Sequence, residues 1–153
     1  MDSSPQETVS VAESLSGGLV CDSFVKTSGA SKFFKGGVVT YSLESKHNLL
    51  NIPVDLLKRT NCVSQQVSEM MAEQVAKLFV SDYGISTTGY ADAGTYEGRE
   101  FEHPYAFVSI ANRNTGKTHV KLVSGSKTDS RNEFRKSVVE MTTWLWINRK
   151  ELV

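Results

Sequence analysis

The sequence predicts a single α/β layered domain, and three observations carry that prediction. Strand-like and helix-like patterns alternate along the chain, with no internal repeat and no linker. The 153 residues suffice for one domain with a real core. The composition, 39% hydrophobic and 22% charged, is ordinary for a globular protein.

Residues 1–7 read as a polar, disordered tail, unlike a signal or transit peptide, and the domain is expected over 8–153. Thr8 to Ala12 reads as a short strand of β-branched and small residues. Gly17 to Thr27 follows as a helix, with Leu19, Val20 and Phe24 turned inward. After a turn at Ser28–Ser31, a helical turn is expected over Lys32–Lys35 and a buried strand over Val38–Tyr41. Ser42 is an N-cap for a helix from Leu43 to about Leu50, and Pro53–Arg59 reads as another helical turn. Ser64 caps a stronger helix, whose Val67, Met70, Met71, Val75, Leu78 and Phe79 recur at three- and four-residue spacing.

Tyr83 to Thr88 reads as a strand ending at Gly89. Residues 90–103 are rich in Gly, Asp, Glu and Tyr, show no period, and read as a long loop. Two strands, Tyr105–Asn112 and His119–Ser124, flank Arg113–Lys117, whose Asn-Thr-Gly signals a hairpin. Ser130 and Glu133 form a capping box that opens a last helix, with Phe134, Val138, Met141, Leu145 and Trp146 on one face.

Seventeen basic and seventeen acidic residues cancel, and the pI is about 6.8, so nothing points to nucleic acid or a membrane as partner. Cys21 and Cys62 are too few for a disulfide framework and are expected to be reduced and partly buried. With three histidines and no Cys-x-x-Cys, no zinc site or other metal is expected. No apolar run reaches transmembrane length, and a cytoplasmic location is the default expectation.

Two segments hold the candidate chemistry. Ser14 follows a strand and precedes Gly17-Gly18 at a helix start, where free N–H groups can hold an oxyanion or a phosphate. Lys46 follows the Ser42 cap by four residues, where the helix dipole disfavours a cation and so favours a neutral amine. A serine beside such a lysine is the arrangement of an amide hydrolase. On local grounds alone, the plainer readings are favoured, Ser14 as an N-cap and Lys46 as a solvated helix residue, and Ser16 is placed as well as Ser14. Tyr41 is placed to relay a proton or orient a substrate, or else is a core aromatic with a wet hydroxyl. Arg131 and Arg135 begin the last helix, where a bound anion would explain cations set against the dipole. Lys127 is a weaker third candidate, and surface solubility explains all three equally well.

These blocks resemble the C-terminal domain of the competence/damage-inducible protein CinA, the nicotinamide-nucleotide amidase family. The resemblance rests on Ala12-Glu13-Ser14-Leu15-Ser16-Gly17-Gly18, Gly29-Ala30-Ser31 and the run Gly37 to Lys46. Weaker matches are Cys62-Val63-Ser64, Thr88-Gly89-Tyr90-Ala91 and His103-Pro104-Tyr105-Ala106. It implies a three-layer α/β/α sandwich with a mixed sheet. It also implies hydrolysis of the carboxamide of nicotinamide mononucleotide to nicotinate mononucleotide and ammonia, with no cofactor. Ser14, Lys46 and Tyr41 would be the catalytic residues. Ser16, Gly17, Gly18, Ser64, Thr88, Gly89, Arg131 and Arg135 would bind substrate, the amides near Ser16–Gly18 holding the oxyanion. A small nucleotide is then the partner, and a homo-oligomer is expected.

The chain departs from the family pattern at 90–106, lacks the usual helix ahead of its first strand, and is expected to be a stand-alone form without an N-terminal pyrophosphatase-like domain. The altered 90–106 segment supports a rival reading, a non-catalytic nucleotide-binding or interaction protein on the same fold.

Overall fold

The computed structural model describes residues 5–153. Strand β1 (Val9–Glu13) leads to helix α1 (Leu19–Val25), a 3-10 turn at Ala30–Lys32 and β2 (Phe34–Val39). Three helices follow: α2 (Leu43–Leu50), α3 (Val54–Arg59) and α4 (Gln65–Phe79). Then come β3 (Tyr83–Tyr90), β4 (Gly94–Tyr96), β5 (Arg99–Phe101), β6 (Tyr105–Asn112) and β7 (Thr118–Ser124). The chain closes with α5 (Arg131–Ile147) and α6 (Arg149–Leu152). The main sheet runs β2-β1-β3-β6-β7, with β1 parallel to β2 and β3, and β6 antiparallel to β3 and β7. Helices cover both faces, giving the expected α/β/α layers around a mixed sheet.

Side chains of period two sort the faces. Val9 and Val11 of β1 join a core with Val20 and Phe24 of α1 and Phe134, Val138 and Leu145 of α5. Ala12 turns the other way, toward Leu50, Leu57, Val67, Met71 and Val75 of α2, α3 and α4. Small residues let α4 lie close on the sheet. A Cβ on Gly84 would stand 1.9 Å from the Ala72 carbonyl oxygen, so only glycine fits. Beside it, the Ser68 hydroxyl bonds those of Ser86 and Ser109 at 3.1 and 2.7 Å, which leaves these buried groups satisfied.

Several boundaries differ from the sequence reading. Helix α1 starts at Leu19, because Gly17 and Gly18 take left-handed φ of +56° and +104°. The helical turn expected over Lys32–Lys35 lies at Ala30–Lys32, and β2 begins at Phe34, four residues ahead of the expected Val38. Its Gly36-Gly37 pair hid the strand. The register shifts between Val9 and Ser10, and a Cβ on Gly37 would meet the Cys21 sulfur at 2.4 Å, so the glycine admits α1. Leu78, assigned to the apolar face of α4, is exposed.

The expected loop at 90–103 contains a hairpin, β4–β5, turning at Glu97 and Gly98 with φ of +49° and +75°. Tyr90 pins it, stacking on Tyr96 at 4.8 Å and on Phe101 at 4.5 Å. Residues 1–4 of the expected tail lie outside the described residues. Glu7, its last member, accepts a hydrogen bond from Arg149 Nε at 3.0 Å.

Candidate active site

The order of the sheet reverses at β1: the chain goes from β1 to β2 on one side and then to β3 on the other. Ligand sites in such sheets form outside the carboxyl ends of the strands at that reversal. Ser14 is the first residue beyond β1, and Thr88 and Gly89 lie near the end of β3.

The turn after β1 is held by its own neighbours. Glu13 is fully buried, and its carboxylate accepts from the amides of Gly18, Val20 and Cys21 at 3.0, 3.1 and 2.7 Å. It therefore caps the start of α1 and fixes the chain on either side of Ser14. Burial and the Glu13 carboxylate together push the Cys21 thiol far up. Thr87 of β3 secures the turn from below: its hydroxyl accepts from the Ser14 amide at 3.2 Å and pairs with the Ser16 hydroxyl at 2.8 Å. From above, Arg135 of α5 donates to the Leu15 and Ser16 carbonyls at 2.9 and 3.0 Å.

Lys46 comes from α2. Ser42 and Ser45 form a capping box that starts this helix, which turns Lys46 into the protein. Its side chain is 1% exposed, and its amine lies 3.0 Å from Ser14 Oγ. The same amine donates to the Thr40 carbonyl at 2.6 Å. No carboxylate among the described residues pairs with it. Burial lowers the lysine from 10.5 to about 8, against a smaller opposing influence of Cys62. Burial also raises the Cys62 thiol, with Lys46 acting the other way. Ser14 thus has within hydrogen-bonding distance an oriented amine that gives up its proton far more readily than a free lysine, as nucleophilic catalysis by serine requires.

A cleft of about 290 Å³ opens over this pair. Tyr41, Thr88, Gly89 and Arg131, all singled out in the sequence, line it with Ser14 and Lys46. Tyr41 is 63% exposed and is no core aromatic; its hydroxyl accepts from Arg131 at 3.1 Å. Arg131 also pairs with Asp92.

The remaining expected binding residues are placed elsewhere. The Ser16 hydroxyl is buried against Thr87 and stays out of the cleft, whereas Ser14 lines it. The Gly17 and Gly18 amides donate to the Ser14 carbonyl and to Glu13, so neither is free for an oxyanion. The amides of Leu15 and Ser16 make no hydrogen bond among the described residues and are the donors left at this turn. Ser64 caps α4 by accepting from the Val67 amide. Arg135 is occupied by the two carbonyls, so it positions the Ser14 turn. Arg135→Ala is expected to cost about 1–3 kcal/mol in urea denaturation, since both carbonyls lose a charged donor.

Sequence reasoning gave no role to Glu13, Thr40, Thr87 or Cys62. Only Glu13 carried a signal, a carboxylate just ahead of a helix start. Among the described residues, no group of three or more His, Cys, Asp or Glu is placed to hold a metal ion. No helix among them is long and apolar enough to cross a membrane.

The chain is also similar to known proteins. It is 40% identical over 124 residues to the competence-damage inducible protein of Bacillus subtilis, covering 81% of this chain and 29% of that protein. A competence-damage inducible protein of Streptococcus thermophilus matches with the same identity and coverage. The chain therefore spans under a third of the length of these relatives. Solved structures share the fold. A CinA superfamily protein from Enterobacter cloacae aligns with a TM-score of 0.83 and 22% identity, over 94% of this chain and 82% of its own. The competence/damage inducible protein of Agrobacterium tumefaciens aligns with a TM-score of 0.83 and 24% identity, over 92% and 84%. The family described as the CinA C-terminal domain matches residues 3–147, a stretch that takes in both Ser14 and Lys46, and the chain belongs to that family.

Proposed function

We propose that this chain hydrolyses the carboxamide of a pyridine nucleotide, with nicotinamide mononucleotide as substrate and nicotinate mononucleotide and ammonia as products. The observation that carries this reading is the buried Lys46 amine, 3.0 Å from Ser14 Oγ and lowered to about 8. Neutral Lys46 takes the Ser14 proton as Oγ attacks the carboxamide carbon. The amides of Leu15 and Ser16 meet the developing oxyanion. The Lys46 ammonium, held by the Thr40 carbonyl, returns the proton to the departing nitrogen, and ammonia leaves. Water then attacks the acyl-enzyme, giving one proton to Lys46, which passes it to Ser14 Oγ as the carboxylate is released. Tyr41 and Arg131, which line the cleft, orient the ring.

Purified protein incubated with nicotinamide mononucleotide is expected to release ammonia, and Ser14→Ala is expected to reduce release to background. Equal rates from the two proteins would sink the serine mechanism, and no release from the wild type would sink this substrate.

A further inference from the structure

A second cavity, of about 320 Å³, adjoins the cleft over Ser14. It lies between α3 and the β4–β5 hairpin, and Asn61 and Glu97 line both spaces. Lys58 and Arg59 reach it from the last turn of α3, and Arg99 from the start of β5. All three cations are exposed, and none makes an ion pair among the described residues. Glu97 is the one carboxylate among the lining residues. The wall is therefore locally positive in a chain whose formal charges cancel. The dipole of α3 accounts for Lys58 and Arg59 at its carboxyl end. It does not account for Arg99, which another element brings to the same space.

The cations nearer the dyad are already engaged. Arg131 is held by Asp92 and Tyr41, and Arg135 by two carbonyls. The backbone at the junction of the two cavities is also unusual. Asn61 and Cys62 take consecutive left-handed φ of +50° and +63°. Asn61 is the left-handed residue common just past a helix end, and Cys62 carries that conformation one residue further, where a side chain is disfavoured. Here it turns the chain from α3 so that Asn61 faces both cavities and Cys62 faces the dyad.

We propose that Lys58, Arg59 and Arg99 form the subsite for the phosphate of the ligand whose other end lies at Ser14. The identity of that other end rests on the amidase reading; the phosphate site does not. Arginine is suited to this task because its planar fork matches phosphate oxygens.

The test uses the Arg59→Ala/Arg99→Ala double variant, at exposed positions where the melting temperature is expected to stay unchanged. Inorganic phosphate, titrated at low salt and followed by amide shifts, is expected to saturate at Lys58, Arg59, Asn61 and Arg99 in the wild type. The double variant is expected to bind at least tenfold more weakly. A wild type without saturable shifts there, or a variant that binds equally well, overturns the proposal.

Ammonia release supplies the second arm. The variant is expected to lose about 10- to 100-fold in kcat/KM for nicotinamide mononucleotide and almost nothing for nicotinamide riboside, which lacks the phosphate. Equal losses for both, or none, also overturn the subsite while leaving the amidase reading intact. Phosphate binding lost in the variant, with no ammonia from either substrate in the wild type, would end the amidase reading and leave the subsite standing.

Discussion

Lys46→Arg is expected to lower ammonia release by at least about a thousandfold, because a guanidinium stays protonated and cannot take the Ser14 proton. Lys46→Met, nearly isosteric, is expected to be equally inactive and guards against a folding defect in the larger variant. The wild-type rate should rise with pH through about 8, as the lowered lysine loses its proton, and level off above it.

The same burial sets a sign for stability. Between about 8 and 10.5 the unfolded chain holds a proton on Lys46 that the folded chain lacks, so this group makes stability rise with pH across that window. Below it, the folded protein carries the full cost of a buried ammonium. Lys46→Met removes that cost and is expected to stabilise the protein at pH 7 by on the order of 1–3 kcal/mol, less what the Thr40 carbonyl loses. Urea denaturation of the two proteins at pH 7 and pH 10 checks this. A Lys46→Met variant less stable than wild type at pH 7 would mean that the lysine is held for the fold and is not costly to it.

Glu13→Ala is expected to cost about 3–5 kcal/mol, the largest single loss of stability at the site. Three amides at the start of α1 would be left inside the protein without an acceptor. Glu13→Gln keeps one acceptor oxygen but turns an amide group toward N–H donors, so it should fall between alanine and wild type. Both variants should also slow turnover, since the residue next to Glu13 is the proposed nucleophile. Denaturation midpoints and ammonia release, measured together, check the two effects. A loss under about 1 kcal/mol for Glu13→Ala would mean that water replaces the carboxylate.

Much of the layered fold was legible because its patterns were strong. Helix α2 begins and ends where Ser42 and Leu50 place it, and the capping box at Ser130 marks the start of α5. Gly36-Gly37 reads as a break in the sequence, which shortens the expected β2. Gly37 lets α1 approach the sheet and Gly36 makes room for Phe79 of α4, tertiary demands with no local signature. The β4–β5 hairpin was missed because its strands are three residues long and its turn carries Glu-Gly where Asn-Gly is the usual signal. Stacking of Tyr96 and Phe101 on Tyr90, not strand propensity, holds it in place.

At the site, Ser14 and Lys46 were separable from ordinary cap and surface residues only by family resemblance. Their meeting depends on α2 packing against α3 and α4, which spacing along the chain does not reveal. Arg131 and Arg135 look alike in sequence, one helical turn apart. The structure turns Arg131 into the cleft and Arg135 onto the carbonyls of the Ser14 turn.

The most direct test is the titration of the Lys46 side chain in the folded protein, followed by NMR of lysine labelled at Cε and assigned with Lys46→Met. A midpoint near 8 is expected, in the wild type and in Ser14→Ala, because burial and not the serine sets it. A midpoint near 10.5 would mean a lysine no easier to deprotonate than a free one and no base for Ser14.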